Sequence, residues 1–210
     1  MSAPRLGEQF LRERGRLLAG AGFEPDPGRL ETTAGGFVFY HWARAEHLPR
    51  IFGVGGGLHA PLQVLATELT PDFAGFYGVQ GLLAPQPRWL DNGPYFGGLG
   101  RLLLGAHVGD VLLRVEAPLA FRHLYVADFA QTLEWEHARR RGAPALGLGY
   151  DCRTGEESAR AFTHSYVPAA AYQGGHVAPI VAALRPGPGI AVPRQLVTLA
   201  GVPNRRTLEA

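Results

Sequence analysis

The chain has 210 residues, 46% of them hydrophobic and 18% charged, with a formal net charge of +2. That balance excludes an intrinsically disordered chain and gives no overall electrostatic case for nucleic-acid binding. One cysteine, Cys152, excludes an internal disulfide and a thiolate metal cluster.

All twenty basic residues are Arg, and Gly (29) and Pro (17) are frequent, which predicts short elements joined by many turns. Met1 to Arg16 carries charges throughout and lacks an apolar signal core. The sequence also has no run of about 18 apolar residues, so a membrane span is not expected and the default location is cytoplasmic.

In chain order, residues 5–19 read as an amphipathic helix with Leu6, Phe10, Leu17 and Leu18 on its apolar side. The Pro25-Asp26-Pro27-Gly28 cluster forms a turn, and Phe37 to Trp42, aromatic and β-branched, reads as a strand. Ala45 to Phe52 reads as a short helix stopped by Gly53, and Leu58 to Leu69 as a further element. Leu82 to Leu99, with its prolines, glycines and aromatics, reads as a loop packed by its own rings.

Val108 to Glu116 is the second clear strand, with Val111, Leu113 and Val115 alternating against Leu112, Arg114 and Glu116. Leu124 to Ala127 is a third strand, followed by a helix from Asp128 to Arg141. That helix ends in Arg139, Arg140 and Arg141, where cations suit the helix dipole. His164 to Val167 and His176 to Leu184 read as late strands, Pro186 to Gly189 as a break, and 203–210 as a frayed tail. Strands and helices mix without a βαβ rhythm. The expected architecture is therefore a single α+β domain: a mixed or antiparallel sheet, peripheral helices and long Gly/Pro-rich loops.

For chemistry, the eight histidines show no HExxH or Cys/His spacing, so no metal site is expected. Gly53-Val54-Gly55-Gly56-Gly57 does not directly follow a strand and lacks a GK[ST] ending, so it reads as a loop and not as a phosphate-binding fingerprint. GxSxG is absent. A late polar group, His164, Ser165, Tyr166, Tyr172 and His176, is a secondary candidate site, because Tyr and His together can form acid–base pairs or binding walls.

Phe39-Tyr40-His41-Trp42, followed by a short helix through Leu48 and Ile51 to Gly53, resembles the opening of the ADP-ribosyltransferase fold, which includes the DarT-like toxins that modify DNA bases. The resemblance covers about 15 residues. It implies NAD as co-substrate, with His41 holding the NAD ribose and an acceptor that is a nucleic acid, a protein or a small molecule. Breaking the glycosidic bond of NAD develops an oxocarbenium-like ribose, which needs a ribose anchor, a stacking ring and usually a carboxylate.

Tyr77 is the candidate stacking ring, while Glu134 and Glu136, on the helix after the third strand, are the candidate acids. The family's late-strand glutamate has no counterpart in His176 to Val181. The competing class is therefore a non-catalytic ligand-binding or protein-interaction domain, and a carboxylate facing His41 across one pocket would separate the two. A hydrolase pairing His107 with Asp110, or His123 with Asp128, is the third option.

Overall fold

The computed structural model describes residues 24–60, 62–63, 76–91, 109–131 and 162–201, together with Arg16 and Ala19, which are helical. The rest of the expected 5–19 helix, Glu134, Glu136, Cys152, Arg139 to Arg141 and the 203–210 tail lie outside the described residues.

The architecture is α+β, with a nine-stranded sheet and a separate two-stranded one among the described residues, every pairing antiparallel. The strands are β1 (Glu31–Thr32), β2 (Phe37–Ala43), β3 (Gly57–Ala60), β4 (Leu62–Gln63), β5 (Phe76–Leu82) and β6 (Val111–Ala117). They continue as β7 (Leu124–Asp128), β8 (Val167–Pro168), β9 (Pro179–Pro186), β10 (Gly189–Pro193) and β11 (Val197–Gly201). The main sheet runs β11-β6-β2-β5-β9-β7-β8, with β1 added on β2 and β4 on β5, while β10 and β3 make the small sheet.

The main sheet consists of two well-laddered halves. β2 pairs with β6 over its whole length, Phe37↔Ala117 to Ala43↔Val111, and β5 pairs with β9 from Phe76↔Pro186 to Leu82↔Ile180. Between the halves a single pair, Tyr40↔Leu82, joins β2 to β5.

Strand alternation sends side chains to two apolar clusters. Phe37, Phe39, Ala43, Val79, Val111, Leu113, Val115, Val126, Val181 and Ala183 belong to the larger one, which β3, β10 and Ile51 cover through Leu58, Ala60 and Val192. Leu82, Ile180, Ala127, Trp89 and Phe162 form the smaller one, against which Tyr40 and Trp42 pack. Burial on both faces explains why β2 reads as a nearly continuous apolar run.

Several elements depart from the sequence expectation. Residues 162–164 are helical, so the strand expected from His164 shrinks to Val167–Pro168. The Ser165 and Tyr166 amides donate back to the Phe162 and Thr163 carbonyls, and the Ser165 hydroxyl also donates to Phe162, which closes a turn instead of a ladder. The strand expected from His176 starts only at Pro179, because the Val177 and Ala178 amides are committed to the Asp128 carboxylate.

Asp128 ends β7, and helical geometry begins at Ala130, with 132–141 outside the described residues. Trp89, in the 3-10 turn Arg88–Asp91, packs against Phe129 at 6.4 Å, a ring outside the 82–99 loop. The short helix after β2 is as expected, a 3-10 turn Ala45–His47 followed by Leu48–Phe52. No described helix is long and apolar enough to cross a membrane.

Candidate functional site

His41 sits on β2 between Phe39 and Ala43 on the larger cluster's face, opposite the fully buried Leu113. It lies one residue past Tyr40↔Leu82, where the β2–β5 ladder stops. In place of a further backbone bond, its ring Nδ1 donates to the Gln80 carbonyl at 2.8 Å. The imidazole thereby closes the seam that the main chain leaves open.

Gly81 makes this approach possible. A Cβ there would come within 2.6 Å of the Phe39 ring and 2.7 Å of the Tyr40 carbonyl oxygen. Burial pushes the His41 pKa below its ordinary value, opposed by the bond to Gln80. The neutral ring therefore carries its proton on Nδ1 and leaves the Nε2 lone pair as an acceptor. His41 is half-buried, and nothing among the described residues bonds to Nε2.

Sequence reasoning singled out His41 but missed Gln80 and Gly81. Gln80 contributes only a main-chain carbonyl, which any residue type supplies. Gly81 shows its purpose only once β2 is seen lying against it.

Tyr77 is on the same strand face, also packed against the larger cluster, but four residues from Gly81 along β5. At ~3.3 Å per residue that is about 13 Å of strand. Tyr77 and His41 thus share a face of the sheet, four residues apart in β5 register. Tyr77 lies opposite Arg185 of β9 and Gln63 of β4. Glu134 and Glu136 are outside the described residues, and β9, Pro179-Ile180-Val181-Ala182-Ala183-Leu184-Arg185-Pro186, carries no carboxylate.

Of the two expected hydrolase pairs, His123 with Asp128 does not form. Asp128 is buried and its oxygens accept from Ala130 N at 3.2 Å, Ala178 N at 2.9 Å, Val177 N at 3.2 Å and Gln131 Nε2 at 3.2 Å. Its acceptor capacity goes to capping a turn and clamping the chain before β9. His123, at the other end of β7, meets the Phe76 ring edge-on at 5.2 Å. Asp110 accepts from the Ala45 amide at 2.8 Å, while His107 lies outside the described residues.

The late polar group divides. Tyr166 packs on Phe162 at 5.3 Å and Tyr125 at 6.0 Å, and burial raises its hydroxyl pKa well above the ordinary value. Tyr172 packs against His176 at 5.0 Å with the rings tilted, and burial pushes its hydroxyl up to about 12. The Asp26 amide donates to the His176 carbonyl at 2.7 Å, which ties the stretch before β1 to this pair.

No family model, curated protein or solved structure matches the chain. Among the described residues no group of three or more His, Cys, Asp or Glu could hold a metal ion.

Proposed function

We propose that the protein is an NAD-using enzyme of the ADP-ribosyltransferase type, with His41 as the anchor for the NAD ribose. The observation that carries this reading is the state of His41: neutral, oriented by Gln80, half-buried at the end of the β2–β5 ladder, with Nε2 able to accept from a ribose hydroxyl. The order of strand, short helix and Gly53 supports it further. In this reading Glu134 or Glu136 supplies the carboxylate that steadies the oxocarbenium-like ribose, and the acceptor is a nucleic acid, a protein or a small molecule.

A second reading, a non-catalytic ligand-binding or protein-interaction domain, is favoured by one observation, the carboxylate-free β9. Calorimetry with NAD on wild type and His41→Ala, followed by nicotinamide release over hours, separates the two. Binding that His41→Ala abolishes in a folded variant, with slow release by wild type, supports the transferase. Binding without release supports the second reading. Absence of binding at millimolar NAD ends the NAD proposal.

A further inference from the structure

Two arginines gather around His59 of the small sheet, and among the described residues neither pairs with a carboxylate. His59 of β3 lies opposite Ile190 of β10. Its Nδ1 accepts from the Arg50 guanidinium at 3.0 Å, because an arginine has no lone pair to offer in return. On the other side of Ile190, the Arg185 guanidinium donates to the Ile190 carbonyl at 3.0 Å. Arg185 is seated by Gly189, where a Cβ would come within 2.3 Å of Nη1.

His59 thus bonds Arg50 directly and reaches Arg185 through Ile190. Burial and then the charges of Arg50 and Arg185 push its pKa below the ordinary value, and no acid counters them. Among the described residues neither arginine pairs with a carboxylate. With Nδ1 occupied as an acceptor, the proton of neutral His59 is on Nε2. Two guanidinium groups and one neutral imidazole N–H therefore belong to a single backbone frame.

Beside this group, the turn through Gly53 to Gly57 is fixed. The Arg194 side chain donates to the Phe52 carbonyl at 2.9 Å, and the Arg194 amide donates to the Gly56 carbonyl at 3.1 Å. The frame under the cations is held before any ligand arrives.

We infer that Arg50, His59 and Arg185 form a binding site for the phosphate group of a small phosphorylated molecule. Guanidinium groups bond phosphate oxygens through charge-assisted, often bidentate contacts, and the imidazole N–H adds a third donor. The inference is independent of the NAD reading, since it rests on other residues and on phosphate alone.

The test is NMR titration of the full chain with inorganic pyrophosphate and, separately, inorganic phosphate, at constant ionic strength, following the His59 ring. The expected result is a saturable shift with either anion and a His59 pKa that rises towards its ordinary value as the anion offsets the two arginines. Arg50→Gln, at an exposed position on the short helix, is expected to weaken binding by roughly tenfold, the scale of one lost charge-assisted bond. Arg44→Gln, at an exposed arginine beside Glu46 and outside this group, is expected to leave it unchanged. A shift that never saturates overturns the site, as does equal weakening by Arg44→Gln or unaltered binding in Arg50→Gln. Arg185→Gln gives a second, independent variant with the same expected loss.

Discussion

The His41 Nδ1 donates to the carbonyl of Gln80 at 2.8 Å, one residue beyond the only backbone pair that joins β2 to β5. A side chain thus takes over where a ladder ends, and its second ring nitrogen stays available as an acceptor among the described residues. The structural role of His41 and its proposed binding role are separable by experiment because they use different ring nitrogens.

His41→Asn keeps a side-chain amide donor near the Nδ1 position, whereas His41→Ala removes it. The alanine variant is expected to lose about 0.5–1.5 kcal/mol of stability, the net worth of one hydrogen bond to a solvent-accessible carbonyl, and the asparagine variant less. Both variants lose the Nε2 acceptor, so both are expected to lose NAD affinity, and urea unfolding beside calorimetry checks the split. The pH dependence has a definite sign. The folded-state pKa of His41 is below its ordinary 6.5, so the unfolded chain takes up the proton more readily. His41's stabilising contribution is full above pH 6.5 and declines as the pH falls from there through the folded-state pKa. His59 acts in the same direction. His41→Asn should therefore flatten the acid limb of stability against pH without abolishing it.

Gly81→Ala tests the close approach that His41 depends on. The added methyl would lie 2.6 Å from the Phe39 ring and 2.7 Å from the Tyr40 carbonyl oxygen, and Phe39 is fully buried with no room to move aside. The expected cost is about 1–3 kcal/mol, as for other overpacked cores. Opening of the seam is expected to show as faster hydrogen exchange at β5 amides facing β2, with little change along β6. Equal exchange throughout the sheet would argue against a local seam.

Asp128→Asn tests whether the buried carboxylate is structural. Four N–H groups converge on its two oxygens, and an asparagine would turn an NH2 group towards two of them. The expected loss is about 2–4 kcal/mol, since hydrogen bonds to a charged group are broken and donors are left buried. The Val177 and Ala178 amides are expected to lose exchange protection first. Unchanged stability would show that the clamp is dispensable.

Much of the sheet was legible from local pattern. Phe37 to Trp42, Val111 to Glu116 and Leu124 to Ala127 lie in strands because aromatic and β-branched side chains at alternate positions fit a pleated, half-buried surface. Where the pattern misled, a long-range or side-chain bond had taken the backbone. The Ser165 hydroxyl pulled 162–165 into a turn, and Asp128 captured the Val177 and Ala178 amides 49 and 50 residues away. β10 and β11 went unread because Pro193 and the glycines around them look like breaks, yet both strands are short and pair along one side.

By itself the sequence determined the α+β class and the three strongest strands, because these follow from residue type and period. Only the tertiary structure decided which nitrogen of His41 is engaged, that Tyr77 lies opposite Arg185, and that Arg50 and His59 meet. The last depends on the turn through Gly53 to Gly57, which brings the short helix back to β3. The first two depend on strand register between segments distant in the chain, and a one-residue slip would send His41 or Tyr77 to the opposite face.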